Sequence, residues 1–190
     1  SASDFSICAH DRWVDTCHVY LDNEGGRELI LEAIEKWHDL LTFVDDREII
    51  LSAISKNHQL MGYVSEDMRA DYDVILAAVM QNGMQLKHAS ESLRRDRSLV
   101  LASIQRNGCA LQFAGECHKS DHELVWKAVM ENGVAFQYAS ESLQLNYSLA
   151  CAAIESNAKA LRYVGPFASD RDLVLSAVAR NGNVLQYASP

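Results

Sequence analysis

Cysteine and histidine gather in two places where a metal ion could be held: Cys8, His10, Cys17 and His18 near the start, and Cys117, His118 and His122 further along. Zinc takes thiolate sulfur and imidazole nitrogen in a tetrahedron, so four such ligands in a short stretch invite the test. Neither group has the spacing of a recognised zinc motif. His118 and His122 stand four apart, but Asp121 between them reads as a helix start, so the two rings are not expected to share one helical face. No metal and no cofactor is therefore expected. Nucleophilic chemistry fares no better, because no G-x-S-x-G, H-E-x-x-H, phosphate-loop or dinucleotide fingerprint occurs. Cys109 follows a glycine as some nucleophiles do, yet it shares its place in the sequence pattern with Met84 and Val134. The expectation is a protein that is not an enzyme and has no small-molecule substrate.

A more promising set recurs at regular distance: Arg27, Arg47, Tyr72, Arg97, His122, Tyr147 and Arg171. Each follows a residue that reads as a helix cap, so the row should line successive helix N-termini, where unpaired N–H groups and the helix dipole favour a carboxylate. Arg47, Tyr72, Arg97, His122, Tyr147 and Arg171 are the candidate partner-binding residues. The competing structural reading is that the arginine stems and tyrosine rings cover the neighbouring repeat and pair with acids such as Glu48 and Asp172.

Those positions belong to a tandem array. Asn57, Asn82, Asn107, Asn132, Asn157 and Asn181 recur every 25 residues with one 24-residue step, and four of them precede glycine. Repeats begin near Gly26, Asp46, Asp71, Asp96, Asp121, Asn146 and Asp170. In the copy spanning residues 71–95, Asp71 is an N-cap, and Val74, Ile75, Ala78 and Val79 form one apolar stripe on a 3.6-residue period. The small third member predicts close helix approach. Asn82-Gly83 should end the helix, with glycine taking the left-handed conformation; His58 and Ala158 replace it in two copies, so the turn should be strained or different there. Asparagine at such a turn can bond unpaired backbone groups, so the column reads as structural capping. Leu86, Ala89 and Leu93 predict a short second helix, with His88 in a column otherwise filled by Phe43, Tyr63, Phe113, Tyr138, Tyr163 and Tyr187. Ser90-Glu91 and its repeats Ser65-Glu66 and Ser140-Glu141 are expected to cap or bend its last turn.

The resulting expectation is an all-α fold, an α-solenoid of about seven short helix-turn-helix repeats of 25 residues. Residues 1–22 fall outside the repeat, although Trp13, Cys17, Tyr20 and Leu21 stand at helical spacing and predict a cap. Residues 23–190 are tandem repeats, the last incomplete at Tyr187-Ala188-Ser189-Pro190, as expected of an excerpt from a longer protein.

Composition narrows the partner. A formal net charge of -9 opposes a nucleic-acid binder and an anionic membrane surface, since both need a basic face. No apolar run approaches the roughly 18 residues of a spanning helix. Five cysteines without a CxxC pair suit reduced thiols in an intracellular, cytoplasmic protein, with secretion as an effector the competing reading.

The phrases DRDLVLSAVARNGNVLQYAS, Asp170 to Ser189, and DRSLVLASIQRNGCALQFAG, Asp96 to Gly115, resemble the repeats of the family named domain of unknown function 4116, and the likeness extends over residues 26–190. Trp126 and Cys151 depart from it, in a column otherwise filled by Leu31 and its aliphatic equivalents. The resemblance implies tandem helical repeats of protist and bacterial proteins, some of them from pathogens, and brings no catalytic residues to carry over. The leading functional expectation is a non-catalytic scaffold that binds a protein partner. Competing expectations are a structural or accessory subunit of a larger assembly, and an RNA-reading helical repeat, which the acidic charge disfavours.

Overall fold

The computed structural model describes residues 24–188, every regular element of which is helical. Residues 1–23, with the expected N-terminal cap and the Cys8, His10, Cys17 and His18 group, lie outside the described residues. The chain divides into two compact units, one ending at Gln81 and the other beginning at Asn82. Each is a stack of repeats of α-solenoid type.

Among the described residues seven long helices mark seven repeats. The first unit holds α1 (Glu24–Lys36), α2 (Arg47–Lys56) and α3 (Tyr72–Gln81). The second unit holds α4 (Glu91–Arg94), α5 (Arg97–Arg106), α6 (Glu116–Lys119), α7 (His122–Glu131), α8 (Glu141–Gln144), α9 (Tyr147–Ser156) and α10 (Arg171–Arg180), of which α4, α6 and α8 are short. The N-caps are those expected: the Asp121 carboxylate accepts from the N–H groups of Glu123 and Leu124, and Asp96 and Asp170 accept from Leu99 and Leu173. The apolar stripe is also as expected. Leu124, Val125, Ala128 and Val129 are buried, as are Ile49, Ile50, Ala53 and Ile54 in the first unit. Fully burying one such Leu, Ile or Val stabilises by about 1.5–3 kcal/mol, so a repeat is held chiefly by the faces it shares with its neighbours.

The return leg, expected as a short second helix, is helical but of the 3₁₀ type. It is a six-residue 3₁₀ segment, as at Gly83–His88, Gly108–Phe113 and Gly133–Tyr138. A 3₁₀ helix rises about 2.0 Å per residue against 1.5 Å in an α-helix. Six residues thus retrace roughly 12 Å of the roughly 15 Å spanned by a ten-residue helix, which lets 25 residues close a repeat. Ser90 caps a separate element, α4, and not the end of this segment.

The asparagine column starts the return leg. Side chains of Asn57, Asn82, Asn107, Asn132, Asn157 and Asn181 each accept the N–H two residues on, while the backbone stays extended. Glycine after asparagine has a different cause from the one expected, since Gly165 alone among the described residues has positive φ, at 48°. A Cβ at Gly83, Gly108 or Gly133 would instead stand 2.0–2.2 Å from the carbonyl oxygen of Ser103, Ala128 or Ala153 on the next long helix. His58 and Ala158 carry no positive-φ strain either. After them the joint is a 3₁₀ turn, Met68–Ala70 or Gly165–Phe167, in place of a four-residue α-helix. The 24-residue step falls at the second of these.

Replacing Asn107 by Ala removes the acceptor for Cys109 N–H and should cost about 1 kcal/mol by denaturant unfolding. Gly108→Ala drives a Cβ into a backbone oxygen and should cost about 1–3 kcal/mol or more in the same assay.

Candidate functional site

The row Arg47, Tyr72, Arg97, His122, Tyr147 and Arg171 occupies the first position of each long helix from α2 onward. Two of its arginines, Arg47 and Arg97, are committed inside their own units. Arg97 Nη2 lies 2.8 Å from Glu123 Oε2 and 3.5 Å from Asp121 Oδ2, so one guanidinium spans the N-cap acid and the acid two residues later on α7. In the first unit Arg47 reaches Asp71 at 2.8 Å and also Asp73, while Arg27 reaches Glu48 at 2.5 Å and Asp46 at 3.5 Å. These contacts match the structural reading of the row: the carboxylates that the helix N-termini attract come from the next repeat.

The non-arginine members build something else. The His122 ring stacks on Trp126 with centroids 5.9 Å apart and planes at 25°, and the Tyr147 ring meets Phe167 edge-on at 5.4 Å. Tyr72 is part-exposed at the start of α3. Arg171 pairs with no described residue.

The ion pairs bias titration. The Arg47 guanidinium holds the Asp71 carboxyl below the usual carboxylate range, against the opposing effect of burial. Glu123 is likewise held low, by Lys127 and then Arg97. Burial raises Asp121, but the N–H groups of Leu124 and Glu123 together with Arg97 outweigh it, and the net direction is down. Burial raises the Cys109 thiol, the opposite of what an attacking thiolate requires. Loss of hydration, then Asp170, raises the Tyr147 hydroxyl.

The metal-ligand candidates in the middle of the chain separate. His118 is buried and donates from Nε2 to the Arg95 carbonyl oxygen at 2.8 Å, Cys117 is exposed, and His122 lies on Trp126. Among the described residues no three His, Cys, Asp or Glu side chains come together as a metal site. An open cleft of 610 Å³ lies over Arg94, Arg95, Phe113, Gly115, Cys117 and Lys119. Two of its cations are neutralised locally, Arg95 by Glu91 and Lys119 by Glu116, and Arg94 donates to the Lys87 carbonyl.

Two further columns carry structure that sequence reasoning missed. Gln81 donates from Nε2 to the Ile54 and Ser55 carbonyls, Ser156 from Oγ to Met130, and Arg180 to Glu155, so the last residue of one helix caps the C-terminus of the helix before it. Arg69, Arg94 and Gln144 reach back seven residues to the carbonyls of Gly62, Lys87 and Gln137. The signal was hidden because chemically different side chains fill each column and share only a donor.

A helical repeat protein with its polar ladders turned inward is the class that this geometry defines. The chain belongs to the family described as Domain of unknown function (DUF4116), whose model matches residues 27–69, 46–94, 71–119, 96–144, 121–166 and 146–190. Each window covers about two repeats and so contains a whole repeat-to-repeat junction. No curated protein and no solved structure matches the chain. Among the described residues no helix is long and apolar enough to cross a membrane.

The depressed carboxyls stabilise the fold above their unfolded-state values, near 4, and that contribution disappears as pH falls through the lower folded values. Melting temperature followed against pH at low salt should therefore fall below about pH 4 through these groups. Arg97→Gln should lower the neutral-pH midpoint slightly and shrink the acid-induced fall. Identical pH profiles for parent and variant would show that the ladder contributes nothing.

Proposed function

We propose that the protein is a non-catalytic interaction scaffold whose second unit presents an aromatic ridge to a protein partner. The observation that carries this reading is the outer edge of α7. His122, Trp126 and Met130 follow one another at four-residue spacing, with Trp126 36% and Met130 56% exposed. Trp126 stands in the half-exposed column of Leu101 and Cys151, which explains why so large a ring is accommodated there without disturbing the core. Leu145 and Tyr147 add exposed apolar surface in the next repeat.

Aromatic and methionine side chains suit this work, because they bury much area and adapt their shape to a partner. Beside the ridge Glu123 and Lys127 pair with each other at 2.7 Å, Glu131 is exposed at the end of the same helix, and the whole chain has a net charge of -9. A partner segment with apolar anchors flanked by Lys or Arg is the complementary chemistry. No small-molecule substrate, nucleic acid or membrane is part of this proposal, and the compartment we favour is the cytoplasm.

Met130→Glu changes an exposed side chain and should leave stability within about 0.5 kcal/mol of the parent, whereas Trp126→Ala removes a half-covered ring and should cost about 1–3 kcal/mol, so both are compared as folded chains. Each should weaken capture of the partner about tenfold or more, measured by quantitative mass spectrometry on immobilised parent and variant chains. Equal recovery of every bound protein would sink the ridge, and binding abolished by nuclease would replace it with RNA recognition.

A further inference from the structure

In the row that opens the long helices, arginine stands where the next repeat begins with two acids one residue apart. Arg27 precedes Asp46 and Glu48, Arg47 precedes Asp71 and Asp73, and Arg97 precedes Asp121 and Glu123. In all three the guanidinium reaches both carboxylates. Tyr72 and His122 obey the same rule, since the acid pair is missing after them: Asp96 is followed by Ser98, and Asn146 by Ser148. Tyr147 breaks it. The next long helix opens with Asp170 and Asp172, yet a tyrosine holds the arginine's place.

A cavity of 180 Å³ lies at this junction between α9 and α10, lined by Tyr147, Cys151, Glu155, Asp172 and Ser176 among others. Edge-on contact with Phe167 fixes the Tyr147 ring at its wall. The acids have no cation of their own. No described residue makes a hydrogen bond or ion pair to the Asp172 or Glu155 carboxylate, and the Asp170 carboxylate accepts only the N–H of Leu173. Arg180 is spent on the Glu155 carbonyl, at 2.8 Å. A metal ion does not suit the arrangement, because among the described residues no three acids, histidines or cysteines converge as one requires.

We propose that this cavity receives an arginine side chain from a partner chain. The incoming guanidinium spans Asp170 and Asp172 as that of Arg97 spans Asp121 and Glu123. Glu155, exposed on the cavity wall, adds a third negative charge, and the Tyr147 ring offers a cation–π contact. Arginine suits the site better than lysine, since its planar fork meets two carboxylates at once whereas an ammonium is a point charge. The chain supplies this group from within at three junctions and leaves it to be supplied from outside at the fourth. The site goes beyond the ridge on α7 and does not depend on it.

The test titrates the isotope-labelled 190-residue chain with N-acetyl-arginine amide, and with the citrulline amide as a neutral isostere, by nuclear magnetic resonance. The arginine amide should give saturable shifts at the backbone signals of Tyr147, Cys151 and Asp172, and the citrulline amide should give none. Asp172→Asn should lose most of that response. Tyr147→Arg, which places a guanidinium where Arg97 has one, should abolish it while signals elsewhere keep the parent pattern. Equal shifts from the citrulline amide, or an arginine response that neither substitution alters, would overturn the proposal. A response centred on other acids of the chain would overturn it as well.

Discussion

In three return legs of the second unit the backbone lies so close to the next long helix that no side chain fits between them. At Gly83, Gly108 and Gly133 the space for a Cβ is taken by a carbonyl oxygen one repeat onward. Much else follows from that approach. The residue whose carbonyl intrudes is Ser103, Ala128 or Ala153, small enough for the helix to come near, and the asparagine before each glycine holds the leg extended until it turns away. With the backbones this near, Leu86, Leu111 and Phe136 lose all contact with water. Specificity of stacking rests on a backbone-to-backbone fit, and the apolar columns then supply the energy.

Polar contacts register the stack at both ends of its long helices. At the N-termini an arginine reaches forward to the acids of the next helix, and at the C-termini Gln81, Ser156 or Arg180 reaches back to the carbonyls of the helix before. The second arrangement satisfies carbonyls that a helix leaves unpaired at its end, whereas the first holds in place the acids of the next helix. Surface ion pairs of this kind add little stability each, so their main effect is on alignment and on what the surface offers a partner. A cation already spanning two carboxylates, as Arg47 and Arg97 do, is a poor receptor for a third, which leaves Arg171 and the aromatic members of the row as its available chemistry.

Period, N-caps, the apolar stripe and the number of repeats were all legible in the sequence, because each depends on one residue type at one spacing. The glycine column was legible as a signal but its cause was not: Asn-Gly reads locally as a left-handed turn, whereas the requirement comes from a carbonyl about twenty residues away. The return leg was legible as a short second helix, but its 3₁₀ type was not, since Leu86 and Ala89 stand three apart, a spacing common to both helix types. The arginine row was recognised, and its acids were named as the alternative to a partner. Trp126 was noted as an irregularity of packing, and only its place on a half-exposed column shows it as surface.

The two legs of a repeat are a matched pair of lengths, ten α residues out and six 3₁₀ residues back. An inserted residue in either leg would throw every later cap out of step, so the array acts as a ruler whose divisions cannot be stretched. Variation is confined to the joints between legs, where the chain holds a four-residue helix in some repeats, a three-residue 3₁₀ turn in others, and Gly165 at the one joint that is a residue short. Sequence length among such repeats should drift at these joints while the distance from aspartate to asparagine stays fixed.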